Sequence, residues 1–232
     1  MKIKRAVMSA IVAVAAFCGV SRDASAGAAA NYYGVSSESF IVIGRDPNDG
    51  NSHWIGWKRI SDGACAWQQI GSSSGLTEDW VLTGSNVNDS LMIVSSGGFS
   101  FCGYTLLEPT QNGYRITIMG SSGNDSLYSG FSGDHALYGD SGHDFLWTLN
   151  STQSYLEGGP HNDILASSYF GGGSGAELYG GNGEDCLYVN SSQSPATMNC
   201  GDGTDTWDGP GSRPATCDLT VHNCCGVFED CE

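Results

Sequence analysis

Basic side chains are scarce. The 232-residue chain has nine Lys and Arg against 25 Asp and Glu, a formal net charge of −16. Such a surface suits neither a phosphate backbone nor an anionic bilayer, both of which are bound through Lys and Arg. Proline is sparse, at six residues, and no G-X-Y period orders the 34 glycines, which excludes a collagen-like chain. After residue 20 no apolar run is long enough for a transmembrane helix. No H-E-x-x-H motif is present, and His53, His135, His143, His161 and His222 are scattered. A hydrophobic content of 40%, with six Trp and ten Tyr, argues against a disordered chain. An acidic, glycine-rich chain of one domain or two small ones is left, with cations as its natural partners.

The first residues read as an address. Lys2, Lys4 and Arg5 precede an apolar run, Ala6–Val20, and Ala24-Ser25-Ala26 is a signal-peptidase site. Cleavage after Ala26 removes Lys2, Lys4, Arg5, Arg22 and Asp23. Nine basic residues become five, 25 acidic ones become 24, and the charge becomes −19. A lipoprotein anchored through Cys18 is the rival, against which Phe17 stands where a small residue is wanted. Cys65, Cys102, Cys186, Cys200, Cys217, Cys224, Cys225 and Cys231 remain, an even number in an oxidising compartment, which predicts disulfides without choosing their pairing. A zinc site made from Cys217, Cys224, Cys225 and Cys231 is the alternative there. The mature chain is expected to be secreted, or held in a periplasm or at a cell surface.

The middle of the chain repeats itself. Gly180-Gly181-Asn182-Gly183-Glu184-Asp185-Cys186-Leu187-Tyr188 matches G-G-x-G-x-D-x-U-x, with U a large apolar residue, at every fixed position. Gly139-Asp140-Ser141-Gly142-His143-Asp144-Phe145-Leu146-Trp147 and Gly120-Ser121-Ser122-Gly123-Asn124-Asp125-Ser126-Leu127-Tyr128 lack only the second Gly. Gly158-Gly159-Pro160-His161-Asn162-Asp163-Ile164-Leu165-Ala166 lacks the fourth, and Cys200-Gly201-Asp202-Gly203-Thr204-Asp205-Thr206-Trp207-Asp208 the first. Thr83 to Leu91 is a decayed copy carrying Asp89.

Nine residues before each U stands another apolar residue: Ile118/Leu127, Leu137/Leu146, Leu156/Leu165, Leu178/Leu187 and Met198/Trp207. The spacing between pairs varies, at 10, 10, 13 and 11 residues. The unit is therefore a two-strand coil that tolerates insertions at only one of its two turns. The invariant turn carries Asp125, Asp144, Asp163, Asp185 and Asp205. Stacked coils would line these carboxylates up about 4.8 Å apart. Like charges that close call for a cation between them. Gly123, Gly142, Gly183 and Gly203 let the turn reach positive φ and aim its carbonyls, and oxygen ligands of flexible geometry suit Ca²⁺.

The five copies resemble the calcium-binding nonapeptide of RTX, or haemolysin-type, repeat proteins, most closely over residues 118–208. The resemblance implies an all-β fold, a parallel β-roll, with Ca²⁺ held in the Asp-bearing turns. Asp125, Asp144, Asp163, Asp185, Asp205 and the four glycines are the expected ligand set, with Asp89 as an outlying candidate. His135, Ser154 and Ala176 replace the Asp at the opposite edge, so the calcium ladder is expected on one edge only. The N-terminal leader, the many cysteines and the lack of a toxin domain set the chain apart from exported RTX toxins.

The flanks are less regular. Residues 27–80 are expected to form a β-rich N-terminal cap or a small module using Trp54, Trp57, Trp67 and Trp80. Residues 81–209 are the roll, interrupted by an insertion at 95–113, and 210–232 a Cys-rich C-terminal cap. An enzyme is not expected. Gly71 to Gly75 fits G-x-S-x-G, but in a Ser/Gly-rich stretch without βα alternation, and Arg115 and Arg213 are the only basic residues after Arg59. The leading reading is a secreted calcium-binding protein, structural or adhesive, that folds with its ion. A carbohydrate-binding module using outward aromatics (Tyr128, Trp147 and Tyr188 on one face, Tyr138 and Tyr179 on the other) is the alternative. A polysaccharide lyase or hydrolase is a remote third. No nucleic acid partner is expected.

Overall fold

A computed structural model of the chain describes residues 30–34, 37–72, 75–76, 79–94, 97–110, 115–130, 134–149, 153–168, 175–190, 197–209, 212 and 214–220. The expected leader, Cys224, Cys225 and Cys231 lie outside them. The described chain is all-β. It begins with β1 (Ala30–Gly34), β2 (Ser39–Asp46), β3 (Ser52–Arg59), β4 (Cys65–Ser72), β5 (Gly75–Leu76), β6 (Asp79–Thr83) and β7 (Ser90–Ile93), followed by a hairpin, β8 (Phe99–Phe101) and β9 (Tyr104–Leu106). Strands then come two to a repeat. These are β10 (Ile116–Ser122) and β11 (Ser126–Ser129), β12 (Asp134–Ser141) and β13 (Phe145–Leu149), and β14 (Gln153–Pro160) and β15 (Ile164–Ser168). After them come β16 (Glu177–Asn182) and β17 (Cys186–Val189), β18 (Thr197–Asp202) and β19 (Thr206–Asp208), and finally β20 (Leu219–Thr220).

Two facing sheets result, and each repeat contributes one strand to each. The first runs β1-β6-β10-β12-β14-β16-β18 and is parallel throughout. The second runs β20-β19-β17-β15-β13-β11-β7-β2 in parallel and then turns antiparallel through β3, β4 and β5. This is a parallel β-solenoid. The nine-residue pairs set its register. Leu82, Ile118, Leu137, Leu156, Leu178 and Met198 stack on one side. Leu91, Leu127, Leu146, Leu165, Leu187 and Trp207 stack on the other. All but the partly buried Met198 are sealed from solvent, and together they fill the narrow core. Their outward neighbours alternate with them, as the two-residue period of a strand requires.

The solenoid starts earlier than the nonapeptides do. β1 pairs in parallel with β6 and β2 with β7, placing Tyr33 opposite Leu82 and Ile41 opposite Leu91. Residues 30–46 thus form a first coil, and the cap proper is the antiparallel β3–β4–β5. The β8–β9 hairpin inside the expected insertion lies against the outer side of β2 to β4. There Val42, Val94, Phe101 and Leu106 make a second core with Phe40, Phe99 and Trp67. Trp67 meets Phe101 and Tyr104 edge-on at 5.4 and 5.0 Å, and a disulfide joins Cys65 to Cys102. A second disulfide, Cys200–Cys217, folds the C-terminal segment over the last coil, with Cys217 entering the main core. That bond takes Cys217 out of the alternative zinc set. Cys186 is disulfide-bonded as well.

Candidate metal centre

Each nonapeptide turn joins a strand of the first sheet to one of the second, and the turns stack in register. Two of its positions hold a positive φ whichever residue occupies them. The second position has Ser121 at 88°, Asp140 at 66°, Gly159 at 121°, Gly181 at 115° and Gly201 at 100°. The fourth has Gly123 at 121°, Gly142 at 144°, His161 at 87°, Gly183 at 148° and Gly203 at 149°. The copies that lost a glycine kept its conformation, at the strain cost of a non-glycine residue there. At Gly142 and Gly203 a Cβ would collide with the carbonyl of the preceding coil, so those glycines are also needed for close stacking.

Asp125, Asp144, Asp163, Asp185 and Asp205 turn inward and are buried. One oxygen of each is committed to the main chain of the coil before it. Asp89 N donates to Asp125 Oδ1 at 2.6 Å, Asp125 N to Asp144 at 2.8 Å, Asp144 N to Asp163 at 2.8 Å, Asp163 N to Asp185 at 2.8 Å and Asp185 N to Asp205 at 2.9 Å. The other oxygen, Oδ2, is buried and has no hydrogen-bond partner in any of the five. In the four turns that open with glycine it lies over that glycine. Asp144 Oδ2 and the carbonyl of Gly158, from the following coil, stand 2.5 and 2.6 Å from where a Cβ on Gly139 would be. The same approach recurs at Gly120, Gly158 and Gly180.

A column of buried carboxylates resists ionising. Burial pushes Asp125 up to about 7, Asp163 up to about 8 and Asp185 up to about 6, and Asp144 and Asp205 move the same way. The main-chain hydrogen bonds pull against this, while neighbouring carboxylates of the column add to it at Asp125, Asp163 and Asp185. Among the described residues no three His, Cys, Asp or Glu side chains converge on a point that could hold a metal. An ion in this column would be held by Oδ2 atoms and main-chain carbonyls together, a hard-oxygen set that fits Ca²⁺. Asp89 differs. Its Oδ1 accepts from Ser39 N at 2.6 Å, and its Oδ2 takes both Ser85 N and Ser85 Oγ, so neither oxygen is left over.

A second column runs along the outside of the same turns, at the fifth position of the nonapeptide, which the motif leaves unspecified. Asn88 Oδ1 accepts from Asn124 N at 2.8 Å, Asn124 from His143 N at 2.9 Å, and Asn162 from Glu184 N at 3.0 Å. These bonds run forward along the stack where the Asp bonds run back. His143 belongs to this column. Its Nδ1 lies 3.2 Å from Asn162 N, and its ring meets that of His161 at 5.7 Å.

The opposite edge is neutral in design. His135 and Ser154 are buried with Ser129, Thr148 and Ser167, and Thr148 Oγ1 donates to Ser167 Oγ at 2.9 Å. The four N-terminal Trp are packing residues: Trp54 and Trp80 are buried, Trp57 abuts the main core and Trp67 the second one. On the outer face of the first sheet the rings of Tyr138, Tyr155 and Tyr179 pack at a tilt, with centroids 5.4 and 5.2 Å apart. Tyr155 joins that row diagonally from the neighbouring strand position, out of reach of a nonapeptide register. On the second sheet Tyr128 meets Trp147 at 5.2 Å. No helix among the described residues is long and apolar enough to cross a membrane. No family model matches the chain, and no curated protein or solved structure does.

Proposed function

We propose that the chain is an exported calcium-binding β-solenoid, a structural or adhesive surface protein whose fold is completed by its ion. One observation carries this reading: five buried aspartates on adjacent coils each keep one oxygen without a partner. A buried anionic oxygen left unsatisfied is costly. Five in a row need either protons or cations. Calcium supplies positive charge between the coils, and Asp125, Asp144, Asp163, Asp185 and Asp205 hold it together with carbonyls of the turn glycines. Asp89, fully hydrogen-bonded, ends the column as a structural residue. Export rests on the leader expected at residues 1–26.

The reading includes no catalysis. The central serine of Gly71–Gly75, Ser73, lies outside the described residues. His53, on the strand beside that segment, is buried with both ring nitrogens engaged by main chain: Nδ1 donates to Ser72 O at 2.8 Å, and Nε2 accepts from Thr110 N at 2.7 Å. It has no free nitrogen to act as a base.

Far-UV circular dichroism of the oxidised mature protein, titrated with Ca²⁺ after chelation and with Mg²⁺ as control, tests the reading. A gain of β signal with calcium alone supports it, together with a weaker response in Asp144→Ala and Asp163→Ala than in His135→Ala and Ser154→Ala. A β spectrum indifferent to chelator, with no calcium retained on elemental analysis, overturns it.

A further inference from the structure

The second position of the nonapeptide has an effect on the outer surface. Gly159, Gly181 and Gly201 lie in register on β14, β16 and β18, so three consecutive coils present no side chain there. One coil earlier the place is taken by Asp140, and before that by Ser121. A trough opens along the solenoid axis where the glycines align and stops where the side chains begin. It is a shallow groove, open to solvent, of about 520 Å³. One bank is Glu157, Tyr179 and Asn199, neighbours across the three strands, and the other is Pro160, Asn182 and Asp202.

We propose that this trough binds a neutral oligosaccharide, laid along the axis with one sugar ring against Tyr179. Tyr155 packs at a tilt against Tyr179 from the preceding coil and takes no part in lining the trough, so the Tyr179 ring is braced on one side and meets the trough on another. Tyr155 also donates its hydroxyl to Glu157 Oε2 at 2.7 Å, which fixes that carboxylate on the bank. The amides of Asn182 and Asn199 both donate and accept, and the carboxylates of Glu157 and Asp202 accept, which together suit vicinal hydroxyls. Among the described residues no Lys or Arg lines the trough. Sulfated and uronic acid chains would therefore meet uncompensated like charge and are disfavoured. Successive coils stand about 4.8 Å apart, so a chain laid along the axis meets three different rows in turn: Glu157 with Pro160, Tyr179 with Asn182, and Asn199 with Asp202. The proposal needs the folded solenoid and nothing of the ion site itself.

Isothermal titration of the oxidised mature chain at saturating calcium tests it, with cellotetraose and mannotetraose as neutral probes and tetragalacturonate as the anionic one. At least one neutral probe should bind with Kd of about 1 mM or tighter, and tetragalacturonate should not bind. Tyr179→Ala should weaken binding about tenfold. Asn199→Tyr, which adds one more ring to the row and fills the space beside Tyr179, should weaken it by at least as much. Both substitutions are outward-facing on strands, and the calcium response of each variant is recorded separately. Lost sugar binding beside an unchanged calcium response is the expected result. No heat with either neutral probe, tighter binding of tetragalacturonate, or wild-type affinity in both variants overturns the proposal and leaves the calcium reading standing.

Discussion

Gly142 stands at φ +144° with the Gly123 carbonyl packed where a Cβ would go. Backbone strain and steric exclusion coincide there, so Gly142→Ala should cost about 3 kcal/mol in urea unfolding. Gly50 also has a positive φ, of 61°, but nothing lies within 4 Å of its would-be Cβ. Gly50→Ala should cost about 1 kcal/mol. Equal losses at the two sites would mean that coil stacking contributes nothing at Gly142. His53 works through protonation. Burial lowers its pKa and nearby Arg45 adds to that, against the raising effect of its bond to Ser72. The folded state thus holds the proton less tightly than the unfolded chain does. His53 costs nothing above its ordinary pKa of about 6.5 and becomes destabilising below it. A protonated Nε2 would point a hydrogen at the Thr110 N–H. In calcium, the melting temperature of wild type should fall more steeply between pH 7 and pH 5 than that of His53→Gln. Parallel slopes would remove His53 from the acid response.

At the scale of strands and coils, the nine-residue spacing made most of the fold legible. It marked which side chains stack, and Leu146 sits sealed between Leu127 and Leu165 as that spacing requires. Leu146→Ala opens a cavity with rigid neighbours above and below and should cost about 3 kcal/mol by urea unfolding. The first coil was not legible, because Tyr33 and Ile41, whose strands pair alongside Leu82 and Leu91, are eight residues apart and no Asp-bearing turn joins them. An inserted antiparallel unit then separates that coil from β6. The β8–β9 hairpin was hidden because its aromatics find their partners on β2 and β4, far away in sequence. Its disulfide, Cys65–Cys102, spans 37 residues. Replacing both cysteines with Ala should cost about 3–4 kcal/mol on the chain-entropy account, with the solenoid core left intact. At the candidate site the five aspartates were visible in the motif, but the outer Asn and His column was not, since a position that accepts Asn, His or Glu looks unconstrained.

For the whole molecule, the sign of the pH response distinguishes proton from calcium. Without metal, Asp185, Asp125 and Asp163 hold their protons up to about 6, 7 and 8, far above the unfolded chain. A raised folded pKa contributes stability that is complete below about pH 4 and lost as pH climbs through the folded values. In chelator, the melting temperature should therefore fall from pH 5 to pH 8. With calcium bound, the carboxylates stay ionised, so the gain on adding calcium should be largest at pH 8 and smallest at pH 5. A calcium gain independent of pH would place the ion away from this column.

The strands lie across the long axis of the stack, and the first and last described strands, β1 and β20, lie at its opposite ends. Tension between the termini therefore loads each ladder one rung at a time, as a zipper is opened, and never shears a whole sheet at once. In the regular stretch each rung is one coil of 19 residues, which would pay out about 65 Å of slack when it lets go. Coils freed one by one would give a row of similar, modest force peaks, and calcium would set their height. A protein tethered at one end and gripping a surface at the other would yield in steps under a pull and rewind when the pull eased.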